Sequence, residues 1–417
     1  MTRFCFLTLC LALAASAQTQ EPDYGISVPF TFSGNLLYTH GFAGDDYTGN
    51  STTIGFRAVL SPTVRLGDHW FFYSALETHS SNYFRYRSGL DTNQFARLNL
   101  MQAFLGYTTT FGNSRLLLKV GQLSSAFGSF PVEYDDAKDP FPNPPPAYVA
   151  ALPLRPDQRP CGVPDLLYQD YASDIQLNCG GSNATAYGTL PVTIYGLPGI
   201  EAQIASAHID ARLQLTNSSP SNPQGLNSNN QFLEWTAGGG YSVAGLRVGM
   251  SGFHGPYLDR VLDPFLPAGA HLRNFPASGI GVDPQWAHSR WSAEGEWQQF
   301  RFDEPGFIAS PSEHIAYAQL KTILSPRTYA AVRATSLHTG FIRDAAGASA
   351  NFFTSPEQVY EFAFGYRPDR FQVLKLGYDW THRIAWSTNG TSWLAGQVNG
   401  ISVQLVTAFT SFSSAFR

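Results

Sequence analysis

The sequence predicts an all-β protein, namely a transmembrane antiparallel β-barrel of about sixteen strands with a long inward-folded loop after strand five. Short segments of alternating apolar and polar residues recur along the chain, short and long connections alternate between them, and a secretory leader precedes them. Successive strand side chains point to opposite faces, so one face of each segment suits lipid and the other suits a polar lumen.

The chain opens with the three parts of a signal peptide. Arg3 precedes an apolar run over residues 4–13, and Ala15-Ser16-Ala17 fits a cleavage site. We therefore expect residues 1–17 to be a signal peptide and residues 18–417 to form the barrel. No uninterrupted apolar run of membrane-spanning length follows, which argues against a helical membrane protein.

Sixteen strands follow from the alternation and the turn signals, with the clearest alternation running from Ala205 to Leu215. The strands are predicted at about residues 26–39, 51–61, 69–79, 94–111, 114–127, 185–196, 199–215, 229–243, 245–256, 274–286, 289–303, 312–325, 327–340, 357–367, 370–383 and 397–412. Short turns, including one at residues 197–199, are assigned to the periplasmic side, which also receives both termini.

The strand at 274–286 is the weakest of these, because Pro276, Gly279, Gly281 and Pro284 interrupt it. Strand parity requires it, since the strong segment from Arg290 would otherwise run in the wrong direction.

The connection after strand five, residues 128–184, is by far the longest and is the candidate constriction. It holds the proline-rich run Pro140 to Pro146, an acidic cluster and two cysteines. In an oxidising periplasm, Cys161 and Cys179 are expected to form a disulfide, with free thiols or a metal site as the alternatives. Proline and a disulfide both restrict the unfolded loop.

Charged residues on the polar face of the strands, together with the acidic cluster of the loop, form the candidate pore lining. These residues are Arg57, Arg115, Lys119, Glu133, Asp135, Asp136, Asp139, Asp210, Arg212, Arg247, Glu294, Glu296, Arg333 and Lys375. One interpretation is that basic wall and acidic loop create a transverse field at a constriction. The other is that the charges pair with one another and only solvate the interior.

Composition excludes several other roles. Aromatic residues make up 14% of the chain, which suits the girdles of an outer-membrane barrel. The net charge of -5 is too small to indicate a nucleic-acid partner. His208, Asp210 and Arg212 share a strand face but do not form a catalytic pattern, and the acidic run lacks the spacing of a calcium loop. We expect no enzyme activity, cofactor or metal.

The chain resembles the sixteen-stranded porins of Gram-negative outer membranes, and most closely the anion-selective and phosphate-selective group. The resemblance rests on the strand count, the dominant loop after strand five, and the segment Gly121-Gln122-Leu123-Ser124-Ser125-Ala126-Phe127-Gly128 that leads into this loop. It implies an inward-folded third loop and a homotrimer. The arginine ladder and lysine cluster of phosphate-selective members cannot be mapped onto this sequence.

The leading hypothesis is an outer-membrane porin, exported through the periplasm, that passes small hydrophilic solutes or ions and contacts outer-membrane lipid. One alternative is an outer-membrane barrel enzyme or surface ligand-binding protein whose lumen is closed by the long loop. Another is a secreted, soluble, lectin-like β protein. Ten basic and six acidic wall positions leave the sign of ion selectivity undetermined.

Overall fold

The computed structural model describes residues 25–42, 48–80, 97–133, 135–168, 175–183, 188–217, 219–222, 232–386 and 393–409. The predicted signal peptide, residues 1–17, lies outside these described residues. Within them, none of the helices is long and apolar enough to cross a membrane.

Sixteen long strands form one antiparallel sheet. They are β1 (Phe30–Phe42), β2 (Thr48–Leu60), β3 (Trp70–His79), β4 (Arg97–Phe111), β5 (Ser114–Ser124), β6 (Tyr195–Ala205), β7 (Ile209–Thr216), β8 (Glu234–Val243), β9 (Leu246–Pro256), β10 (Pro276–His288), β11 (Trp291–Phe302), β12 (Ser312–Ser325), β13 (Thr328–Thr339), β14 (Glu357–Tyr366), β15 (Gln372–Trp386) and β16 (Trp393–Phe409). Two short strands, Ile26–Ser27 and Thr63–Arg65, join the same sheet.

The sheet closes on itself, because β1 pairs with β16 from Phe30 opposite Phe409 to Phe42 opposite Gln397. Every other long strand pairs with its sequence neighbours. Closure leaves the sheet without an unpaired edge, as a membrane-spanning sheet requires. The predicted fold class, a sixteen-stranded antiparallel barrel, is confirmed.

The two faces of the wall differ in chemistry. On β14, Tyr360, Phe362 and Phe364 are exposed on the outer face, while Glu361 and Ala363 between them are buried on the inner face. Such a continuous apolar exterior would be unfavourable in water and suits hydrocarbon. The charges that the sequence assigns to the opposite face therefore lie inside.

The predicted strands at 185–196 and 199–215 are wrong where they meet, because the turn between these two strands lies at a different place in the sequence. The turn lies at residues 206–208, where the Ser206 hydroxyl accepts a hydrogen bond of 3.1 Å from the Ile209 N–H. The expected turn residues instead continue β6, with Pro198 opposite Gln122 and Gly199 opposite Gly121. The alternation from Ala205 to Leu215 thus contains a turn, and the connection between β5 and β6 spans residues 125–194 rather than 128–184.

The doubtful strand after the ninth is present. β10 pairs with β9 from Pro276 opposite Pro256 to Trp286 opposite Leu246. Its glycines make room on the inner face, since a Cβ on Gly279 would fall 2.4 Å from the Phe253 ring. The strand that parity required is therefore confirmed. Its glycines, which weaken the strand signal in the sequence, leave room for side chains that pack on the inner face.

The long connections share an apolar core with inward-facing side chains of β9–β13, and we call this cluster the loop core. From the 125–194 connection it includes residues of helix α2 (Val163–Tyr168). From another connection it includes residues of the helical turns at Arg260–Phe265 and Leu272–Asn274. A three-stranded sheet of Phe307–Ala309, Ile342–Asp344 and Ser349–Ala350 lies beside it. Members of the loop core include Leu152, Leu154, Val163, Leu166, Leu177, Tyr257, Leu262, Leu272, Phe302, Ile342 and Phe353.

Candidate functional site

The connection between β5 and β6, residues 125–194, is called the long loop from here on. Its first part includes helix α1 (Phe130–Glu133) and the 3₁₀ turn Pro146–Tyr148. Residues 128–148 contact inward-facing side chains on many strands of the wall. Five of the ten wall residues that the sequence selects take part in these contacts, namely Arg57, Arg212, Glu296, Arg333 and Lys375.

Glu296 on β11 joins two parts of the long loop. Its carboxylate accepts hydrogen bonds of 2.9 Å from the N–H groups of Ser129 and Phe130, and one of 2.7 Å from the Ser129 hydroxyl. The Tyr148 hydroxyl also donates to Glu296, and Gln298 donates to that hydroxyl at 2.7 Å. Hydrogen bonds to an ionised group are stronger than those between neutral groups. Glu296 therefore holds two parts of the long loop against β11.

Asp136 of the long loop forms the second junction. Its carboxylate accepts from Arg57 on β2 at 2.7 Å and from the Ser33 hydroxyl on β1 at 2.8 Å. Arg57 also pairs with Glu77 on β3. The guanidinium therefore lies between two carboxylates, and its charge is compensated locally.

The proline-rich part of the loop meets a row of wall donors. Proline has no N–H, so a proline-rich segment has fewer donors than acceptors, and some of its carbonyl oxygens need donors from elsewhere. The wall supplies the donors. Lys375 donates to the carbonyls of Asp136 and Phe141, Arg333 to Asn143, Gln404 to Pro142, Tyr329 to Pro140, and Arg367 to Ala137, at 2.6–3.1 Å.

One of these wall cations, Arg333, also packs against the loop. Arg333 pairs with Glu361, with its Nη2 at 2.8 Å from Oε1, and its guanidinium lies 4.2 Å from the centre of the Phe141 ring. That ring packs against Ala331 and Ala363. Much of the basic excess of the wall therefore solvates loop carbonyls.

Asp139 and Asp135 differ in environment. Asp139 accepts a hydrogen bond of 2.9 Å from the Phe141 N–H. Desolvation raises the pKa of Asp139 above its ordinary value, against the opposing effect of Arg333 and Lys375. Asp135 is half exposed, and its cationic neighbour Lys138 is 3.6 Å away on a largely exposed side chain, where such pairs contribute little.

The wall from β5 to β10 carries its own charge pairs. Lys119 on β5 donates to Glu201 on β6 at 2.9 Å. Arg247 on β9 binds Asp210 at 2.8 Å and also pairs with Asp283. These residues face the lumen as predicted parity requires, but each charge has a partner of the opposite sign.

The remaining predicted residues lie apart from these junctions or bind elsewhere. Arg212 donates to the Gly128 carbonyl, and Glu294 accepts from the Gln319 amide. Arg115 is exposed and donates to the Thr108 hydroxyl at 3.0 Å. Glu133 ends helix α1, and its side chain lies outside the described part of the structure.

Several contact residues are absent from the sequence-based selection. Ser33, Tyr148 and Gln404 are uncharged, so a search for charges passes over them. Glu77 and Asp283 carry charge and the inward parity of their strands, so that signal was present in the sequence. His208 lies at the turn, where its Nδ1 is 3.0 Å from the Ser242 carbonyl oxygen. The spacing with Asp210 and Arg212 therefore does not build a shared site.

Two adjacent cavities lie beside the long loop. The larger, about 650 Å³, is lined by loop residues such as Phe130 and Asp135 and by Arg57 on the wall. The smaller, about 350 Å³, is lined by β3–β6 and includes Lys119. Tyr73 and Gln102 line both.

The second part of the long loop is held by a disulfide between Cys161 and Cys179, whose Cα atoms are 4.8 Å apart. Asp165 accepts hydrogen bonds of 3.0 Å from the N–H groups of Cys161 and Asn178. Across the described residues, no three His, Cys, Asp or Glu side chains are arranged to hold a metal ion.

Sequence comparisons and structural comparisons differ in what they find. No family model and no curated protein matches the sequence. Among solved structures, the anion-selective porin from Comamonas acidovorans is similar with a TM-score of 0.54 and 10% identity, over 93% of this chain and 100% of that chain. The outer membrane channel DcaP of Acinetobacter baumannii gives 0.54 and 11%, over 94% and 99%.

OmpF of Salmonella typhi, solved with daunomycin, also gives a TM-score of 0.54, at 10% identity over 94% of this chain and 100% of that chain. At these identities the similarity shows the fold alone. The predicted resemblance to sixteen-stranded porins is confirmed at that level.

Proposed function

We propose that this protein is a porin of a Gram-negative outer membrane, a passive diffusion channel for small hydrophilic solutes or ions. In this proposal the signal peptide directs export through the periplasm, the apolar outer face contacts lipid, and residues 125–194 enter the lumen and narrow it. No enzymatic step is part of the proposal.

The observation that carries the proposal is the way the longest connection is fastened to the inner face of a closed barrel. Side chains from β1, β2, β11, β13, β15 and β16 all bind residues 128–148. Contacts from so much of the circumference support a position of this segment within the ring of strands. A cavity of about 650 Å³ beside it supports a narrowed rather than a filled lumen.

A homotrimer is the proposed assembly, because the sixteen-stranded porins that the sequence resembles form trimers. Chemical crosslinking in detergent followed by denaturing electrophoresis tests it. A ladder that ends at three copies is expected, whereas a single band at every crosslinker concentration would contradict a trimer.

The channel itself is tested by planar-bilayer recording of purified protein whose heat-modifiable migration shows a folded barrel. We expect discrete conductance steps. Folded barrels that insert without any ion current would overturn the porin proposal. Membrane fractionation of the producing cells is the companion test, with the outer membrane as the expected fraction.

A barrel with a closed lumen, acting as an enzyme or a surface ligand-binding protein, is the second candidate. The loop core favours it, since residues of the long connections such as Tyr257 and Phe353 are fully buried there. The same recording separates the two candidates, because a closed barrel gives no steps.

A further inference from the structure

The long loop divides the lumen unevenly. Gly128 binds the Ser251 hydroxyl on β9 at 3.0 Å, whereas Asp136, eight residues later, binds Ser33 on β1. β9 and β1 are eight positions apart in a ring of sixteen, so they face each other across the barrel. We call residues 128–136 the crossing segment, because its two ends lie on opposite sides.

The following residues, 137–148, return along the wall, and we call them the return segment. Their contacts lie on β16, β15, β13 and β11. The packing there is close: a Cβ on Gly377 of β15 would fall 2.9 Å from Pro142. The β11–β16 side is therefore occupied by the return segment.

Space remains on the other side, along β2–β6. Both cavities lie against these strands and share Tyr73 and Gln102. The larger one extends past Lys138 to Glu294 and Tyr317. A path for solute thus runs off-centre, between the crossing segment and the wall of β2–β6.

Two cations beside this path are compensated at short range. Arg57 is bound by Asp136 at 2.7 Å and also pairs with Glu77, and Lys119 is bound by Glu201 at 2.9 Å. Opposite charges in contact leave a small dipole, whose field falls off faster than that of an isolated charge. A passing ion of either sign therefore gains little there and still loses hydration.

The larger cavity is also lined by the charged residues Asp135, Lys138, Asp139 and Glu294. Asp135 has Lys138 at 3.6 Å, Asp139 lies near the cations Arg333 and Lys375, and Glu294 accepts a hydrogen bond from the Gln319 amide.

Aromatic rings and amides make up much of the remaining lining. Phe130, Tyr73 and Tyr195 line the larger cavity with Gln102, and Gln203 lines the smaller one. Rings offer flat apolar faces, and amides both donate and accept hydrogen bonds. A cavity of about 650 Å³ lies within the range of small-molecule sites.

We infer that this off-centre path selects neutral polar solutes that have an apolar face, in preference to anions or cations of the same size. The inference rests on the proposed porin function and identifies its solute class. It assigns selectivity to the β2–β6 side, and it assigns Arg333 and Lys375 the role of holding the return segment.

Three solutes of similar size and different charge test the inference directly. Proteoliposomes are swollen in glucose, gluconate or glucosamine at pH 7, with protein-free liposomes as the blank. We expect glucose to enter faster than both charged probes. Faster entry of gluconate or glucosamine than of glucose overturns the inference, while no entry of any solute and no bilayer current overturns the porin proposal itself.

Two variants test whether Lys119 and Glu201 compensate each other's charge. Glu201→Gln leaves the Lys119 ammonium uncompensated, so the reversal potential in a KCl gradient is expected to shift toward chloride, whereas Lys119→Gln is expected to shift it toward potassium. Each shift is expected to be several-fold in permeability ratio, from a wild-type ratio near unity. A wild-type channel with strong selectivity for one ion, or variants without opposite shifts, would contradict compensation.

The position of the path is tested by single cysteines, since both native cysteines of the mature chain are joined. Gln102→Cys places a thiol on the path, and Ser402→Cys places one on β16 on the side of the return segment. A thiol reagent added to both chambers is expected to reduce the current through Gln102→Cys and not through Ser402→Cys. The reverse result would place the path on the other side.

Discussion

Lys375 shows what the basic residues of the wall do at the scale of single residues. It is 1% exposed, and its ammonium donates to two carbonyls of the loop main chain. The sequence predicts that basic wall and acidic loop meet, and in the structure Asp136 of the loop accepts a hydrogen bond of 2.7 Å from Arg57 of the wall. The sequence could not predict that wall cations donate to carbonyls of the loop. The pattern of side-chain charges contains no information about which main-chain oxygens lack donors.

Lys375→Met tests this role, since methionine fills similar volume without a donor. The loss leaves two buried carbonyls short of a hydrogen bond, at a cost of about 1–3 kcal/mol each. We expect faster hydrogen exchange in residues 137–143 and an unchanged reversal potential. A reversal-potential shift as large as that of Lys119→Gln would instead make Lys375 a selectivity residue.

At the scale of elements, the sequence predicts long strands well and one turn badly. Parity alone recovers β10 despite its prolines and glycines, because an odd number of strands cannot return the chain to the correct side. The turn after β6 fails because Ser206-Ala207-His208 contains neither Gly nor Pro, while Gly196 and Pro198, which resemble turn residues, lie inside β6. The Ser206 hydroxyl accepts a hydrogen bond from the Ile209 N–H, three residues ahead. A serine can stabilise a turn in this way, and amino-acid composition does not reveal it.

The disulfide is an element-scale feature of the loop core rather than of the barrel. Its cysteines are 18 residues apart in sequence, and closing a loop of that length contributes about 3 kcal/mol in the chain-entropy estimate. We expect the double variant Cys161→Ser with Cys179→Ser to remain heat-modifiable but to be cleaved faster by protease within the long loop. Loss of the heat-modifiable form would show that the barrel itself depends on the bond.

The loop core is also expected to respond to pH through Glu304. Burial raises the pKa of Glu304 from 4.5 to about 8, although the hydrogen bond from Tyr257 and the nearby Arg159 act in the opposite direction and Asp303 adds to the rise. Because the folded pKa is higher than the unfolded one, the stabilising effect is complete below about pH 4.5 and is lost as pH rises toward 8. Hydrogen exchange of residues 257–275, corrected for its intrinsic pH dependence, is expected to be slower at pH 5 than at pH 9.

Glu304→Gln is the control for this effect, since glutamine keeps the shape and cannot ionise. The pH difference is expected to shrink in the variant. An equal difference in wild type and variant would assign the effect to another group.

At the scale of the whole molecule, two features matter for function: a closed wall of strands and a long loop that is bound to this wall. The wall has an apolar exterior and a polar interior, and side chains of β11, β13, β15 and β16 bind residues of the long loop. The composition and alternation predict the wall. The location of the remaining space depends on where the two ends of the crossing segment bind, which no local pattern encodes.

The most direct test of this account is the single-channel conductance of two variants that truncate a phenylalanine of the same loop. Phe130 lines the larger cavity, whereas Phe141 packs against Ala331 and Ala363 on the wall. We predict that Phe130→Ala raises the conductance about 1.5- to 2-fold, because it widens the path, and that Phe141→Ala leaves it near the wild-type value. An unchanged conductance in Phe130→Ala together with a raised one in Phe141→Ala would contradict the account.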